Sequence, residues 1–292
     1  SNIEVQVAVY GLGYGDARDR FGVGGPEVSV MGAVDGSGFL GAQATGRATW
    51  TIIPTDDAAP LAMTKYLVAG SLVYWEEGSR IVVPLSPTTI DVHPNPSLVF
   101  RYFHQRDVYA DDPFTEVVEP SIPYSLAIMV QNQGHGYARN MRITSSQPRI
   151  IENEKGLVID FRIIGTELSG QPVRPSLNLD FGTIDPGETT IGRWLFTSSL
   201  QGLFTEYKAT FEHVDDLGDQ RLALVDQVTI HEMIRVVQAD RTWEDDKPDF
   251  LVNGVPDARD FPDTIWLSSG TNYPVVAVTN ATHNGPAVPG HY

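Results

Sequence analysis

The sequence contains no cysteine and few basic residues for its length. Without cysteine the chain forms neither disulfides nor thiolate metal sites, and it has no cysteine nucleophile. Its 20 lysine and arginine residues are outnumbered by 37 aspartate and glutamate residues, which gives a formal net charge of −17. A surface of this sign repels nucleic-acid phosphates and anionic lipid headgroups. We therefore expect no nucleic-acid partner.

Long apolar runs are also missing. The longest ones, such as residues 124–130, are far shorter than the roughly 18 residues that a membrane-spanning helix requires, and no basic-then-apolar leader opens the chain. We predict no membrane insertion. Because a strand pattern begins almost at once, we expect a mature form or a piece of a longer polypeptide. Hydrophobic residues make up 41% of the chain, which is sufficient for folded cores.

The first part of the chain has the alternation of half-buried strands. Ile3, Val5, Val7 and Val9 recur with a period of two, which predicts one apolar strand face. Similar runs, separated by Gly, Pro and Asp clusters, follow at residues 27–34, 43–53, 65–75 and 80–92. The two prolines of residues 93–96 end this pattern. We predict an N-terminal β-sandwich domain over residues 1–95.

The rest of the chain also favours strands. We predict a second β-sandwich domain over residues 96–238, with strands at 98–102, 124–132, 138–145, 157–164, 176–180, 190–198, 206–213 and 222–231. Residues 228–237 fit a helical face as well as a strand, and we predict a strand. Residues 239–292 form either a small C-terminal β module or an edge segment, with a hairpin near Asn253-Gly254 and strands at 264–267 and 273–279.

Two runs in the middle domain share an order of turns and strands. The first, PYSLAIMVQNQGHGYARNMRIT, places Asn132 and Gly134 between two strands, and the second, IDPGETTIGRWLFTSSLQG, places Pro186-Gly187 before a strand with Trp194. This order resembles bacterial immunoglobulin-like modules of the cell-adhesion-related and NPCBM-associated kind. The resemblance implies a spacer, adhesion or binding role and transfers no catalytic residues. Hairpin geometry alone also explains these turns, and Trp194 is expected to be a core anchor.

Motifs for catalysis are incomplete. The glycines of residues 11–15 follow a strand but have the wrong spacing for a phosphate loop, and the neighbouring aspartates repel phosphate. His231-Glu232 lacks the second histidine of a zinc protease, because Arg235 stands in its place. No Gly-x-Ser-x-Gly nucleophile turn is present. We predict that the chain is not an enzyme, and a hydrolase with two distant carboxylates is the third alternative.

The acidic loops are the candidate metal sites. Hard cations such as calcium prefer several oxygen ligands, and loops supply them. The candidates are Asp111-Asp112, then Asp215-Asp216 with Asp219, and our preferred cluster of Glu244, Asp245, Asp246 and Asp249. Such clusters are more often solvated loops, and none has the spacing of an EF-hand.

Two tryptophans and one asparagine are the remaining candidates. Trp243, beside the acidic loop, and Trp266 are candidates for stacking on a sugar ring. Asn280 begins an Asn-Ala-Thr sequence, which accepts N-linked sugar if the chain is secreted.

These observations predict an all-β chain of tandem antiparallel immunoglobulin-like sandwiches. We interpret it as a structural or adhesive module of an extracellular or cell-surface assembly, with neighbouring modules or copies of itself as partners. Exposed strand edges, foremost residues 273–279, are expected to pair with a neighbour. The alternative is a carbohydrate-binding or accessory region of a larger secreted enzyme, with glycans as partners.

Overall fold

The computed structural model describes residues 2–143, 160–203, 224–239, 245–255, 261–276 and 278. Several predicted features lie outside these residues, namely the strand at 206–213, Asp215, Asp216, Asp219, Trp243, Glu244 and Asn280. The described chain is all-β, and its two helical segments are 3-10 turns at Arg18–Arg20 and Asp56–Ala58. Neither segment is long or apolar enough to cross a membrane.

The described residues fall into two compact units. The first contains residues 2–96, 134–136 and 224, and the second contains the remaining described residues. The division into three parts at residues 95 and 238 stays a prediction. Strands on both sides of residue 238 belong to one sheet of the second unit.

The first unit has eight strands. They are β1 (Asn2–Gly11), β2 (Phe21–Val23), β3 (Glu27–Ser29), β4 (Asp35–Phe39), β5 (Arg47–Thr49), β6 (Ile52–Pro54), β7 (Thr64–Glu76) and β8 (Ser79–Val92). One sheet has the order β4-β1-β7-β8, and β2–β6 and β3–β5 form two further pairs, all antiparallel. The predicted strands at 65–75 and 80–92 are confirmed. They form one hairpin, whose turn places Glu77 and Gly78 at φ 48° and 82°.

Two small cores stabilise the first unit. Ile3 packs with Met31 and Val34 near one end of β1, and Val9 packs with Phe21 and Tyr66 near the other. Of the four apolar residues predicted to alternate along β1, Ile3 and Val9, near its two ends, are the most deeply buried.

The second unit has thirteen strands. They are β9 (Leu98–Gln105), β10 (Asp107–Val108), β11 (Tyr124–Asn132), β12 (Ala138–Ile143), β13 (Phe161–Leu168), β14 (Gln171–Val173), β15 (Leu179–Ile184), β16 (Thr189–Ser198), β17 (Gly202–Leu203), β18 (Val225–Val237), β19 (Asp249–Asn253), β20 (Thr264–Trp266) and β21 (Asn272–Pro274). Nine of them form a sheet with the order β14-β13-β16-β11-β9-β18-β19-β20-β21. The prediction of a strand rather than a helix at 228–237 is confirmed by β18.

One ladder of this sheet is parallel. β9 pairs with β18 in parallel, whereas the other ladders between the described strands are antiparallel. A parallel pair requires a long crossover connection, which the chain between residues 105 and 225 supplies. The predicted strand at 273–279 is shorter in the structure, since β21 ends at Pro274, which has no amide N–H for a ladder.

One face of the nine-stranded sheet packs against the β12–β15 pair. Its main aromatic residue is Trp194, which is fully buried and donates a hydrogen bond from Nε1 to the carbonyl of Ser176 at 2.9 Å. The prediction of Trp194 as a core anchor is confirmed. Asn132 donates to the carbonyl of Ile184, and Gly187 has φ 80°, a value that favours glycine in the predicted Pro186-Gly187 turn.

The opposite face curls around a second core. Phe103 of β9 stacks on Phe250 of β19 with 4.2 Å between ring centroids, and Trp266 of β20 lies 6.3 Å from Phe103. Two strands separate β9 from β20 in the sheet order. The last strands must therefore bend back over this face. The twist that accumulates from strand to strand in a large sheet is consistent with such a bend.

Candidate functional site

A buried arginine lies inside the curled face. Arg101 alternates with Val99 and Phe103 along β9, so its side chain points to this core, and only 9% of the residue is exposed. Its Nη1 donates to Oε1 of Gln131 at 2.9 Å, and its Cζ lies 4.7 Å from the ring centroid of Trp266. The guanidinium therefore has one neutral acceptor and one aromatic face as its contacts.

Among the described residues, no acid balances the charge of Arg101. Within the described part of the chain, no carboxylate lies within ion-pair distance of this guanidinium. Burial lowers the pKa of Arg101 from its usual value, but an arginine remains protonated in proteins. The nitrogen atoms of Arg101 are not among the fully buried side-chain atoms that lack a hydrogen bond, so part of the guanidinium reaches solvent.

His231 of β18 lies on the same face of the sheet, beside this core. Its ring lies 5.1 Å from the Trp266 ring and 5.3 Å from the Phe103 ring, and Thr229 Oγ1 is 3.0 Å from Nε2. Burial, and then the positive charge of Arg101, lower the pKa of His231 to about 4. The imidazole is therefore neutral at pH 7, and the site has a single positive charge.

A second arginine on the same sheet face is paired with a carboxylate. Arg193 of β16 donates from Nε and Nη2 to the two carboxylate oxygens of Glu167 at 2.8 and 2.7 Å. The register places Arg193 beside Ala127, which in turn lies opposite Phe103. The same sheet face thus contains a half-buried arginine paired with a carboxylate and a buried arginine that has no carboxylate partner among the described residues.

Trp266, predicted as a stacking residue, belongs to this group. Its indole is half-buried among Phe103, His231 and Arg101. The guanidinium covers one side of the ring, so a sugar has only the other side for stacking. The stacking role stays a prediction, and Trp243 lies outside the described residues.

Asp249, predicted as a metal ligand, holds two loops together. The residue is 6% exposed, its Oδ1 accepts the amide N–H of Ser268 at 2.7 Å, and its Oδ2 accepts that of Ala239 at 2.8 Å. Burial raises its pKa although both hydrogen bonds favour the charged form, and the nearby Asp245 adds to the rise. Both oxygens of Asp249 are therefore occupied by backbone donors.

The other carboxylates of the predicted calcium cluster are more exposed. Asp245 accepts a hydrogen bond from the Ser268 hydroxyl at 2.9 Å and lies 3.5 Å from Lys247 Nζ, whereas Asp246 is exposed at φ 57°. The described residues contain no group of three or more His, Asp or Glu side chains arranged to hold a metal. Because Glu244 is not among them, the calcium site stays a prediction.

The earlier acidic pair, Asp111-Asp112, also serves local structure. Asp111 accepts the amide N–H of Glu119, and Asp112 accepts that of Phe114. These hydrogen bonds order the loop that follows β10.

A further polar row crosses β9, β18 and β19. His104, Glu232 and Asn253 are directly opposite one another on these neighbouring strands, and Arg106 Nη1 lies 3.1 Å from Glu232 Oε1. Burial lowers the pKa of His104 to about 4. Glu232 and His231 are consecutive on a strand, so their side chains point to opposite faces, unlike those of a helical zinc-protease motif.

Comparisons with protein-family models, curated proteins and solved structures find no match to this chain. The site must therefore be interpreted from its own geometry. Arg101 is not among the residues predicted from the sequence, although it has a signal there: it is the one arginine or lysine in the strand LVFRYFHQ, and its neighbours two residues away are apolar.

Proposed function

We propose that the chain is a non-catalytic structural or adhesive module of an extracellular or cell-surface assembly. In this proposal its two sandwich-like units belong to a tandem immunoglobulin-like array, and copies join through strand edges. The all-β architecture with long antiparallel ladders supports it. The observation that carries the proposal is the edge strand β8.

β8 combines length, exposure and apolar side chains. It has 14 residues, far more than the five or six of an average strand, and among the described strands it pairs only with β7. Val82, Val83 and Leu85 are 49%, 40% and 38% exposed. An edge of this kind is a template for pairing with another strand. We assign a second copy of the chain as its partner.

Two features limit where and when such pairing occurs. Pro84 and Pro87 lie within β8 and lack amide N–H groups, so pairing is confined to the residues on either side of them. The net charge of −17 repels a second copy at low ionic strength. Assembly should therefore strengthen as salt screens this repulsion.

The test measures particle size in solution. Sedimentation velocity and electron microscopy of the full chain should show larger particles as sodium chloride is raised. Val82→Lys should abolish them, because it places a charge on the pairing edge. Leu61→Lys is the matched control, since Leu61 is 71% exposed but lies in a loop. A chain that stays a monomer at every salt concentration, or a Val82→Lys variant that assembles as the wild type does, contradicts the proposal.

One observation favours the second candidate, a carbohydrate-binding or accessory region. Trp266 presents a half-buried ring beside the guanidinium of Arg101, which is hydrogen-bonded to the Gln131 amide, and this mixture of aromatic and polar groups suits a sugar. A glycan array separates the candidates, because binding that Trp266→Ala removes without changing particle size supports the second.

A further inference from the structure

Edge pairing does not explain the guanidinium of Arg101. Replacing a buried charged group by an apolar residue is often neutral or stabilising. Among the described residues a single hydrogen bond, to Gln131, occupies one of its five N–H groups, and its nitrogen atoms are not among the fully buried atoms that lack a hydrogen bond. The remaining donors therefore reach solvent, where a ligand can meet them.

We propose that Arg101 is the anchor of a binding site for a carboxylate group. The guanidinium presents a planar set of donors that matches the two oxygens of a carboxylate. Gln131, Gln133 and Thr229 add neutral hydrogen-bonding groups near it, and the Trp266 ring supplies an apolar wall.

The charge of the site selects a monoanion. Arg101 is the only cation that contacts this group among the described residues, since neutral His231 adds no charge at pH 7. A phosphate dianion needs a second cation or several backbone donors, and the net charge of −17 repels a dianion more strongly than a monoanion. A carboxylate therefore fits better than a phosphate.

The surroundings leave a route for a small ligand. Gln133 is exposed, Gln131, Thr229, His231 and Trp266 are half-buried, and no nitrogen of Arg101 is both fully buried and without a hydrogen bond, so a small ligand can reach the guanidinium. Gly270 lies beside Gln131. A Cβ at this position would come within 2.8 Å of Gln131 Nε2, so glycine keeps the amide in place.

The binding experiment uses sodium acetate as the probe. The full chain is titrated at pH 7 and constant ionic strength, with tryptophan fluorescence as the readout, because Arg101 lies over the Trp266 ring. We expect a saturable change with a dissociation constant of about 1 to 10 mM, which is reasonable for so small a ligand. Acetamide, the neutral isostere, should give no saturable change, and phosphate should bind more weakly than acetate.

Four variants locate the response. Arg101→Met should weaken acetate binding at least tenfold while leaving the protein folded, and Arg101→Gln is the second choice if the methionine variant does not fold. Acetate binding should also raise the thermal midpoint of the wild type. Trp266→Phe should abolish the fluorescence change but retain this rise. Arg193→Met is the matched control, because it removes a paired arginine from the same face and should leave acetate affinity within twofold.

The outcomes separate this site from the proposed assembly. Equal responses to acetate and acetamide, tighter binding of phosphate, or unchanged binding by Arg101→Met would each overturn the carboxylate site. None of these results bears on pairing through β8, which is measured by particle size.

Discussion

Replacing Asp249 by asparagine tests whether this carboxylate joins two loops. In the wild type its two oxygens accept the amides of Ala239 and Ser268 at 2.8 and 2.7 Å. Asparagine has one acceptor oxygen, so one of these donors loses its partner and faces an NH₂ group. The change preserves side-chain volume and isolates the hydrogen bonds.

The expected loss follows from opposing contributions. A hydrogen bond to a charged group contributes about 1.5–3 kcal/mol, and a buried donor left without a partner costs about 1–3 kcal/mol. The substitution also removes a charge that burial disfavours, as the raised pKa of Asp249 indicates. Losing the hydrogen bonds costs more than removing the buried charge regains. We therefore expect a net loss of about 2 kcal/mol in the free energy of unfolding.

The assay is urea unfolding of the full chain, followed by circular dichroism, with amide exchange of Ala239 and Ser268 as the local measure. Asp246→Asn is the control, because Asp246 is exposed and its φ of 57° suits asparagine, so its effect should stay below about 0.5 kcal/mol. Equal stabilities of the two variants would refute the reasoning. A stabilisation of the wild type by millimolar calcium that Asp249→Asn removes would instead assign Asp249 to the predicted calcium site.

Two further changes test the core of the second unit. The folded-state pKa of His104 is about 4, below the ordinary value of 6.5, so the unfolded chain takes up protons first as the pH falls. Stability should therefore decrease from pH 7 to pH 4, and His104→Gln should flatten this profile in urea midpoints; parallel profiles would contradict the shift. Trp194→Phe removes the shorter of two hydrogen bonds to the carbonyl of Ser176, which keeps the 3.2 Å bond from Thr166 Oγ1. It should cost about 1–3 kcal/mol, measured by thermal unfolding against Trp194→Tyr. A cost below that of Asp246→Asn would contradict this role.

The sequence predicts the local elements of this fold better than their partners. Period-two alternation locates β1 and β16, and β-branched or apolar runs bounded by turn residues locate β7, β8 and β11. The parallel pairing of β9 with β18 has no such local signal, since it depends on where a long crossover returns the chain. Alternation also cannot show which of the long strands becomes the edge, which is why β8 was not singled out.

The candidate site shows the same limit. Trp266 was identified from composition, but its contacts with Arg101 and Phe103 depend on a bend across four strands of the sheet. Clusters of acids are conspicuous in a sequence, whereas Asp249 is distinguished by two backbone amides that no side-chain pattern encodes. Arg101 required the opposite reasoning, from a single polar residue within an apolar strand.

The parallel ladder between β9 and β18 sets an order for synthesis of the chain. Leu98 lies opposite Val225, so the ribosome must reach residue 225 before β9 obtains this neighbour. Closing a connection of this length costs roughly 4 kcal/mol of chain entropy, whereas the β7–β8 hairpin closes through a two-residue turn. Until β18 emerges, β9 has an open side and Phe103 is uncovered. A nascent chain at this stage therefore exposes an open strand edge beside an apolar side chain.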